Sequence, residues 1–312
     1  MASVGSILGG AFRLFRERPA AILIWAAVYF AAAIVMAMIM SWFLTGTVSI
    51  VTNPAALMPQ RPGAMPPGFW QVMLFIYPFT LVLFAVQINA VFRAVLRPED
   101  SGFASLRLGM DELRTIGLAV IVVIVGFIAM FIVQLLLMLA VTFIGMVSGG
   151  GAAGAALASI LMIACFCGWI WLWVRLSLLF PLTFHRRKIS VDAAWDLARG
   201  RFWTLFGAYF IVLLMMFLLI GAAVWGMMGD YIAAIWAAQG NEEQMQRAIA
   251  EFTARQVEMP VAMRVGQMLI NSLIGIIALA LGCGTIASAT RELLIERGED
   301  ERQTQDWSEA EI

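Results

Sequence analysis

The chain has 312 residues, 62% of them hydrophobic and 13% charged, with Lys+Arg and Asp+Glu equal at 20 each. Ordinary soluble domains are roughly 45–50% apolar and about 25% charged, so a water-soluble fold is excluded: it would have more oily surface than it could hide. Zero net charge removes the basic footprint that nucleic-acid binding needs.

The predicted elements follow in chain order. Val4, Ile7, Leu8, Ala11, Phe12 and Phe15 recur at helical spacing and end in Arg16 and Arg18, the pattern of an amphipathic helix lying in the interface. Ala20–Leu44 is uncharged and longer than the roughly 7–15-residue core of a signal peptide, so it is expected to be retained as a first span. Phe69–Ala90, Ile116–Val147, Ala153–Phe184, Leu205–Met228 and Val265–Ala289 complete a set of six apolar runs. Each is long enough to cross about 30 Å of hydrocarbon as a helix. None alternates in the short segments of a membrane β-barrel. The third and fourth are over-long and joined only by Ser148-Gly149-Gly150-Gly151, which predicts a tight hairpin whose arms tilt or project. Gly145 and Gly154 favour close packing beside that turn. The glycine run lacks the Lys-Ser/Thr and the flanking strand of a phosphate loop, so nucleotide binding is rejected there.

Between the runs, Thr45–Gly68 holds Pro54, Pro59, Pro62, Pro66 and Pro67 and is expected to be extended. Asp230–Arg264 reads as a surface helix capped by Asn241, with Glu242 and Glu243 in its first turn and Pro260 as its stop. Its face of Met245, Ala248, Ile249 and Phe252 either rests on the outer leaflet or packs on helix ends. Residues 1–297 therefore form one six-helix transmembrane domain, and the acidic stretch 298–312 is expected to be a disordered tail.

Basic residues give the orientation. Arg13, Arg16, Arg18, Arg93, Arg97, Arg107, Arg114, Arg175, Arg186, Arg187, Lys188, Arg199, Arg201, Arg291, Arg297 and Arg302 fall on one set of connections. The other set has only Arg61, Arg247, Arg255 and Arg264. By the positive-inside rule both termini are cytoplasmic.

The inward segments repeat. Val191, Ala194, Trp195, Ala198 and Phe202 with Arg199 and Arg201 match the N-terminal stripe, and Phe103, Leu106, Met110 and Leu113 with Arg107 and Arg114 form a weaker copy. Ala11-Phe12-x-Leu14-x-Arg16-x-Arg18 parallels Ala194-Trp195-x-Leu197-x-Arg199-x-Arg201. Val95-Leu96-Arg97-Pro98-Glu99-Asp100 parallels Ile295-Glu296-Arg297-Gly298-Glu299-Asp300. Inward segments of membrane proteins are commonly aromatic and basic, but paired motifs favour a three-fold unit of interfacial helix, span and return span. The expected class is thus an all-α polytopic membrane protein with six transmembrane helices and cytoplasmic interfacial amphipathic helices.

The stretch Val174-Arg175-Leu176-Ser177-Leu178-Leu179-Phe180-Pro181, followed by Ala193-Ala194-Trp195-Asp196-Leu197-Ala198-Arg199-Gly200-Arg201-Phe202-Trp203, resembles bacterial inner-membrane proteins assigned to the membrane domain of glycerophosphoryl diester phosphodiesterases. The resemblance implies a multi-span helical protein of the bacterial cytoplasmic membrane. It does not carry the activity, because the phosphodiesterase barrel with its paired histidines has no counterpart in a chain whose one histidine is His185.

Candidate site residues are few. His185, Arg186, Arg187 and Lys188 at an inner span end read as a topology anchor that touches anionic phospholipid headgroups, about 1 kcal/mol per Lys or Arg near the surface. Arg175 lies ten residues earlier. It is deep in the membrane if the fourth span ends at the basic cluster, and at the inner interface if that span starts at Ala153. Asn89, Arg93 and Asn271 are candidate members of an intramembrane polar cluster with Arg175; Gln87, Gln134 and Gln267 are the remaining amides in the spans. Cys165, Cys167 and Cys283 lie in apolar runs, and a Cys-x-Cys pair in a helix points its thiols about 200° apart, so no metal or redox role is expected. The twenty methionines read as filler or lipid-facing surface. No cofactor is implied. Contact with lipid and protein partners by a non-enzymatic protein is the favoured function. A small-molecule or lipid transporter, with polar groups around a cavity between repeated hairpins, is the alternative. A membrane-embedded hydrolase ranks last, because the spans hold essentially no carboxylates.

Overall fold

The computed structural model describes residues 2–46, 68–99, 102–107, 109–149 and 151–298. The Pro-rich loop and the acidic tail expected from the sequence fall almost wholly at 47–67 and 299–312, outside the described residues. Among the described residues ten α-helices occur: α1 Val4–Glu17, α2 Pro19–Thr45, α3 Phe69–Leu96, α4 Met110–Val147, α5 Ala152–Leu176, α6 Leu179–Arg186, α7 Val191–Leu197, α8 Phe202–Ala238, α9 Glu242–Glu258 and α10 Val261–Arg297. A 3-10 turn, Gly102–Ser105, stands before α4. No strand occurs among the described residues. Six helical segments are long and apolar enough to span a bilayer: Pro19–Leu44, Phe69–Leu96, Met110–Val147, Ala152–Arg186, Phe202–Ala238 and Val261–Arg297. The protein is an all-α polytopic membrane protein.

Helix ends follow local chemistry. Pro19 opens α2, where a missing N–H costs nothing. Gly46 closes it in the left-handed region, its N–H returning to the Trp42 carbonyl at 2.9 Å. Across the first hairpin Gly68 caps α3 with φ +80°, and a Cβ there would collide with the backbone carbonyl oxygen of Phe43. Backbone on one side and a positive φ on the other leave no room for relaxation. Gly68→Ala is expected to cost about 2 kcal/mol, read as a lowered midpoint of reversible unfolding in mixed micelles. A change below about 0.5 kcal/mol would mean that the α2–α3 approach yields freely.

The second hairpin behaves differently. Gly154 near the start of α5 sits directly under Ser148, so a side chain at 154 would strike the Ser148 Oγ, and the glycine-rich turn is as tight as its composition implied. Beyond Leu118, no residue of α4 is fully buried, and on α5 only Gly154 and Val174 are. Val123, Phe127, Phe131, Leu136 and Phe143 on α4 all stand exposed, as do Ile160 and Phe166 on α5. Residues covering every side of a helix and all apolar need lipid around them. On α9 the expected cap is in place: Asn241 Oδ1 accepts from the N–H groups of Glu243 and Gln244 at 3.0 and 3.3 Å. Its apolar face packs on a helix end, with Phe252 against Tyr231 of α8 at a ring separation of 4.7 Å.

The chain divides into two compact units. One comprises Met1–Gly9, Arg107–Tyr209 and Thr285–Ile312; the other comprises Gly10–Leu106 and Phe210–Gly284. The core of the first gathers Ile7, Leu118, Leu178, Leu182, Ala194, Leu197, Leu205, Ala208 and Leu294. The core of the second gathers Leu14, Ile22, Trp25, Ala26, Ala90, Val91, Ala94 and Ile276.

These cores repeat the sequence motifs. A shift of 183 relates Leu14, Ile22 and Trp25 to Leu197, Leu205 and Ala208, and a shift of 200 relates Ala94 to Leu294; all eight are buried. Bulk changes places between them. Trp25 meets a core containing Ala94, whereas Ala208 meets one containing Leu294. The closing arginine of each motif also performs the same task. Arg18 donates to the Pro98 carbonyl at 2.7 Å, and Arg201 pairs with Glu296, each tying the head of an outgoing helix to the foot of a returning one. The middle stripe departs from this pattern. Glu112 accepts the Gly109 N–H at 2.9 Å and starts α4 at Met110, so the stripe is split between a 3-10 turn and the span, with Met110 and Leu113 exposed. Two copies of the unit share geometry, and the third lacks its interfacial helix.

Candidate functional site

Two groups of polar side chains stand out, one in each unit. In the second unit α3 carries three buried polar residues, Gln87, Asn89 and Arg93. Arg93 is 2% exposed and donates to the Ser105 carbonyl. Gln87 Nε2 donates to the Trp25 carbonyl at 3.4 Å, and Trp25 Nε1 donates to the Ala104 carbonyl at 2.8 Å. Arg18 adds its bond to Pro98. Three donors, Arg93, Trp25 and Arg18, thus converge on the segment after α3, where Ala104 and Ser105 both hold the left-handed conformation (φ 54° and 59°). A non-glycine residue in that region costs of order 1 kcal/mol, and the donors supply the offset. Asn89 and Arg93, one turn apart on α3, are both buried. Asn271 is not with them: it lies on an exposed face of α10, with Gln267 half-buried one turn before it. Gln134 faces outward from α4.

In the first unit the site begins with a break. Pro181 has no N–H and its ring clashes with the carbonyl four residues back, which is that of Ser177. The hydrogen-bonded ladder of α5 accordingly ends at Leu176, and α6 resumes at Leu179. Ser177 Oγ donates to the Val174 carbonyl at 2.8 Å, so the Tyr209 hydroxyl, 2.9 Å away, must donate to Ser177. Leu179 and Leu182 of α6 and Ala194 and Leu197 of α7 are buried in one core, and Phe184 is buried as well. The turn between these helices carries the cationic run. His185 and Arg186 are half-buried, Arg187 caps α6 with φ 53°, and Arg187 and Lys188 are exposed.

Arg175 sits in the last turn of α5, 23 residues after Ala152, or about 35 Å along the helix, against roughly 30 Å of hydrocarbon. The apolar helical segment that holds it continues past the break to Arg186. The Arg175 guanidinium carbon is 4.6 Å from the ring centres of both Trp171, one turn earlier, and Trp195 on α7. The two indoles are 5.5 Å apart and nearly perpendicular at 85°. Three centres at such similar separations form a triangle. The guanidinium thus rests in a corner made by two indoles and is not sandwiched between them. Each contact is worth roughly 0.5–1 kcal/mol where exposed and about 2 where desolvated. Arg175 Nε is buried without a hydrogen-bond partner. Trp171 was within reach of the sequence, since i and i−4 share a helix face. Trp195 arrives only through tertiary packing of α7 on α5.

Cys165, Cys167 and Cys283 are free thiols. Among the described residues no group of His, Cys, Asp and Glu is placed to hold a metal ion. No family profile, curated protein or solved structure matches the chain.

Proposed function

We propose that this is a non-enzymatic integral protein of the bacterial cytoplasmic membrane, with both termini in the cytoplasm, that acts by contacting anionic lipid headgroups and partner proteins along its inward rim. The cationic turn at 186–188 carries this reading. It joins two helices that contribute buried residues to one core, and Arg187 and Lys188 stand exposed on it. The sixteen-to-four division of Lys and Arg supports the orientation. The likeness of residues 174–203 to bacterial inner-membrane domains supports the compartment. The polar groups of α3 support contact over transport, because Gln87 and Arg93 are engaged with backbone carbonyls and Asn271 lies apart on an exposed face.

The test is a pair of reporter fusions after Ile312, one to alkaline phosphatase and one to a fluorescent protein that matures only in the cytoplasm. The expected result is an inactive phosphatase and a bright fluorescent fusion. The triple substitution Arg186→Glu, Arg187→Glu, Lys188→Glu is expected to raise phosphatase activity of a fusion placed in that turn several-fold, through loss of the inward anchor. Active phosphatase at the wild-type C-terminus would overturn the orientation and, with it, the contact function.

A further inference from the structure

We propose that the corner formed by Trp171, Arg175 and Trp195 is a phosphodiester site for one anionic phospholipid molecule. The inference rests on the lipid-contact reading above and gives that reading a specific headgroup position.

The argument starts from what the guanidinium lacks. Arginine is charged at every physiological pH and presents five N–H donors in a planar fork. Here two nearly perpendicular indoles flank it, each ring centre 4.6 Å from the guanidinium carbon, so at most one of them stacks on its plane. Among the described residues no carboxylate pairs with it, and Nε is buried with no acceptor. Asp192 and Asp196 lie on the same short helix as Trp195, yet both are exposed and neither bridges to Arg175. A buried donor left unfilled costs about 1–3 kcal/mol, which a bound acceptor would recover.

The indoles meanwhile stabilise the cation but offer no oxygen acceptor to its N–H groups, and Nε stays unfilled. What fits the remaining edge is a planar pair of oxygens, carboxylate or phosphate, taken in bidentate fashion. Position decides between them. Arg175 lies about 35 Å from the start of α5, and at the interfacial depth the proposal assigns it tryptophan rings concentrate and a phospholipid places its phosphodiester. A corner open on one side also suits a ligand that arrives laterally from the bilayer with its acyl chains still in it. The apolar wall of α5 on the side of Arg175 supplies the surface along which those chains lie; Ile160 and Ala164 are exposed on it.

Fastening α7 to α5 is the competing role for the same contacts. It would use the two π faces and leave the N–H edge idle, so it makes no prediction about phosphate.

The experiment is native mass spectrometry of the full-length protein released from detergent, titrated with phosphatidylglycerol or with diacylglycerol of the same chains. The wild type is expected to retain one phosphatidylglycerol at least ten-fold more tightly than diacylglycerol. Arg175→Gln is expected to abolish that preference, and Arg175→Lys to weaken it several-fold by keeping the charge while losing the fork. Arg187→Gln with Lys188→Gln is expected to lower only the weaker additional adducts. Equal retention of the two lipids by the wild type overturns the proposal without recourse to any variant. So does a preference that survives Arg175→Gln. Displacement of the lipid by millimolar inorganic phosphate would overturn the lipid as the source of the phosphate. If the Arg187/Lys188 variant loses phosphatidylglycerol while Arg175→Gln keeps it, the corner fails and the rim-contact function stands. If no variant alters retention and the two lipids bind alike, both fail.

Discussion

Trp25→Ala is expected to cost the protein about 3 kcal/mol, the low end of the range for removing a buried aromatic side chain, because lipid takes away part of the transfer contribution and leaves lost packing as the main term. Trp25 is 1% exposed and lies among Ile22, Ala90, Val91 and Ala94. Its Nε1 also holds the Ala104 carbonyl, the first of two successive left-handed residues in the loop behind α3. Trp25→Phe separates these contributions. It keeps most of the ring and deletes the donor, and a loss of about 1–2 kcal/mol is expected for the orphaned carbonyl. The measurement is the free energy of reversible unfolding in mixed micelles, followed by helical circular dichroism. A loss below 1 kcal/mol for the alanine variant would show that the loop is held by Arg18 and Arg93 without help from the indole.

Leu205→Ala is expected to lower stability by about 2–4 kcal/mol, and Ile22→Ala by a similar amount. Leu205 is fully buried and its N–H continues the first turn of α8 from the Arg201 carbonyl at 3.0 Å. Ile22 bears the same relation to Arg18, though at 3.4 Å, and is likewise buried. Both residues stand four positions after the arginine that closes the repeated motif. If the units share a design, the two losses agree within about 1 kcal/mol; a large disparity would reduce the repeat to a resemblance of sequence.

The six spans were legible because each apolar run is longer than the hydrocarbon it must cross. Their ends were not. α8 runs on to Ala238, ten residues past the apolar run that closed at Met228, and α10 starts four residues before Val265. Hydropathy falls where a helix enters the interface, but its backbone hydrogen bonds continue, so composition marks the membrane and not the helix. The surface helix α9 was read correctly in outline, since Asn241 and Pro260 act locally through a side-chain oxygen and a missing N–H. The break after α5 falls at Ser177, four residues before Pro181, where the clashing carbonyl lies.

Pairs set by tertiary packing were out of reach. Arg93 was visible as an unusual charge on a span, but its acceptor, the Ser105 carbonyl, lies in a loop whose path depends on Arg18 and Trp25. Arg175 was visible for the same reason. Trp171 could have been joined to it by helical spacing, while Trp195 required knowing that α7 folds back against α5. The weak middle stripe was misleading because amphipathic spacing does not reveal that Gly109 and Glu112 cut it in two.

The α4–α5 hairpin has a consequence for the membrane itself. From Ile116 to Val147 the helix carries no charge and is apolar apart from Gln134 and Thr142, which at 1.5 Å per residue makes a rod of about 48 Å with no charged stopping point for a headgroup. Leaning alone would need an angle well beyond the common range for spanning helices. The mismatch therefore passes to the neighbouring lipids, which must stretch or be replaced by longer-chained species. The protein is expected to carry an annulus thicker than the average bilayer and to favour regions where that thickness already exists.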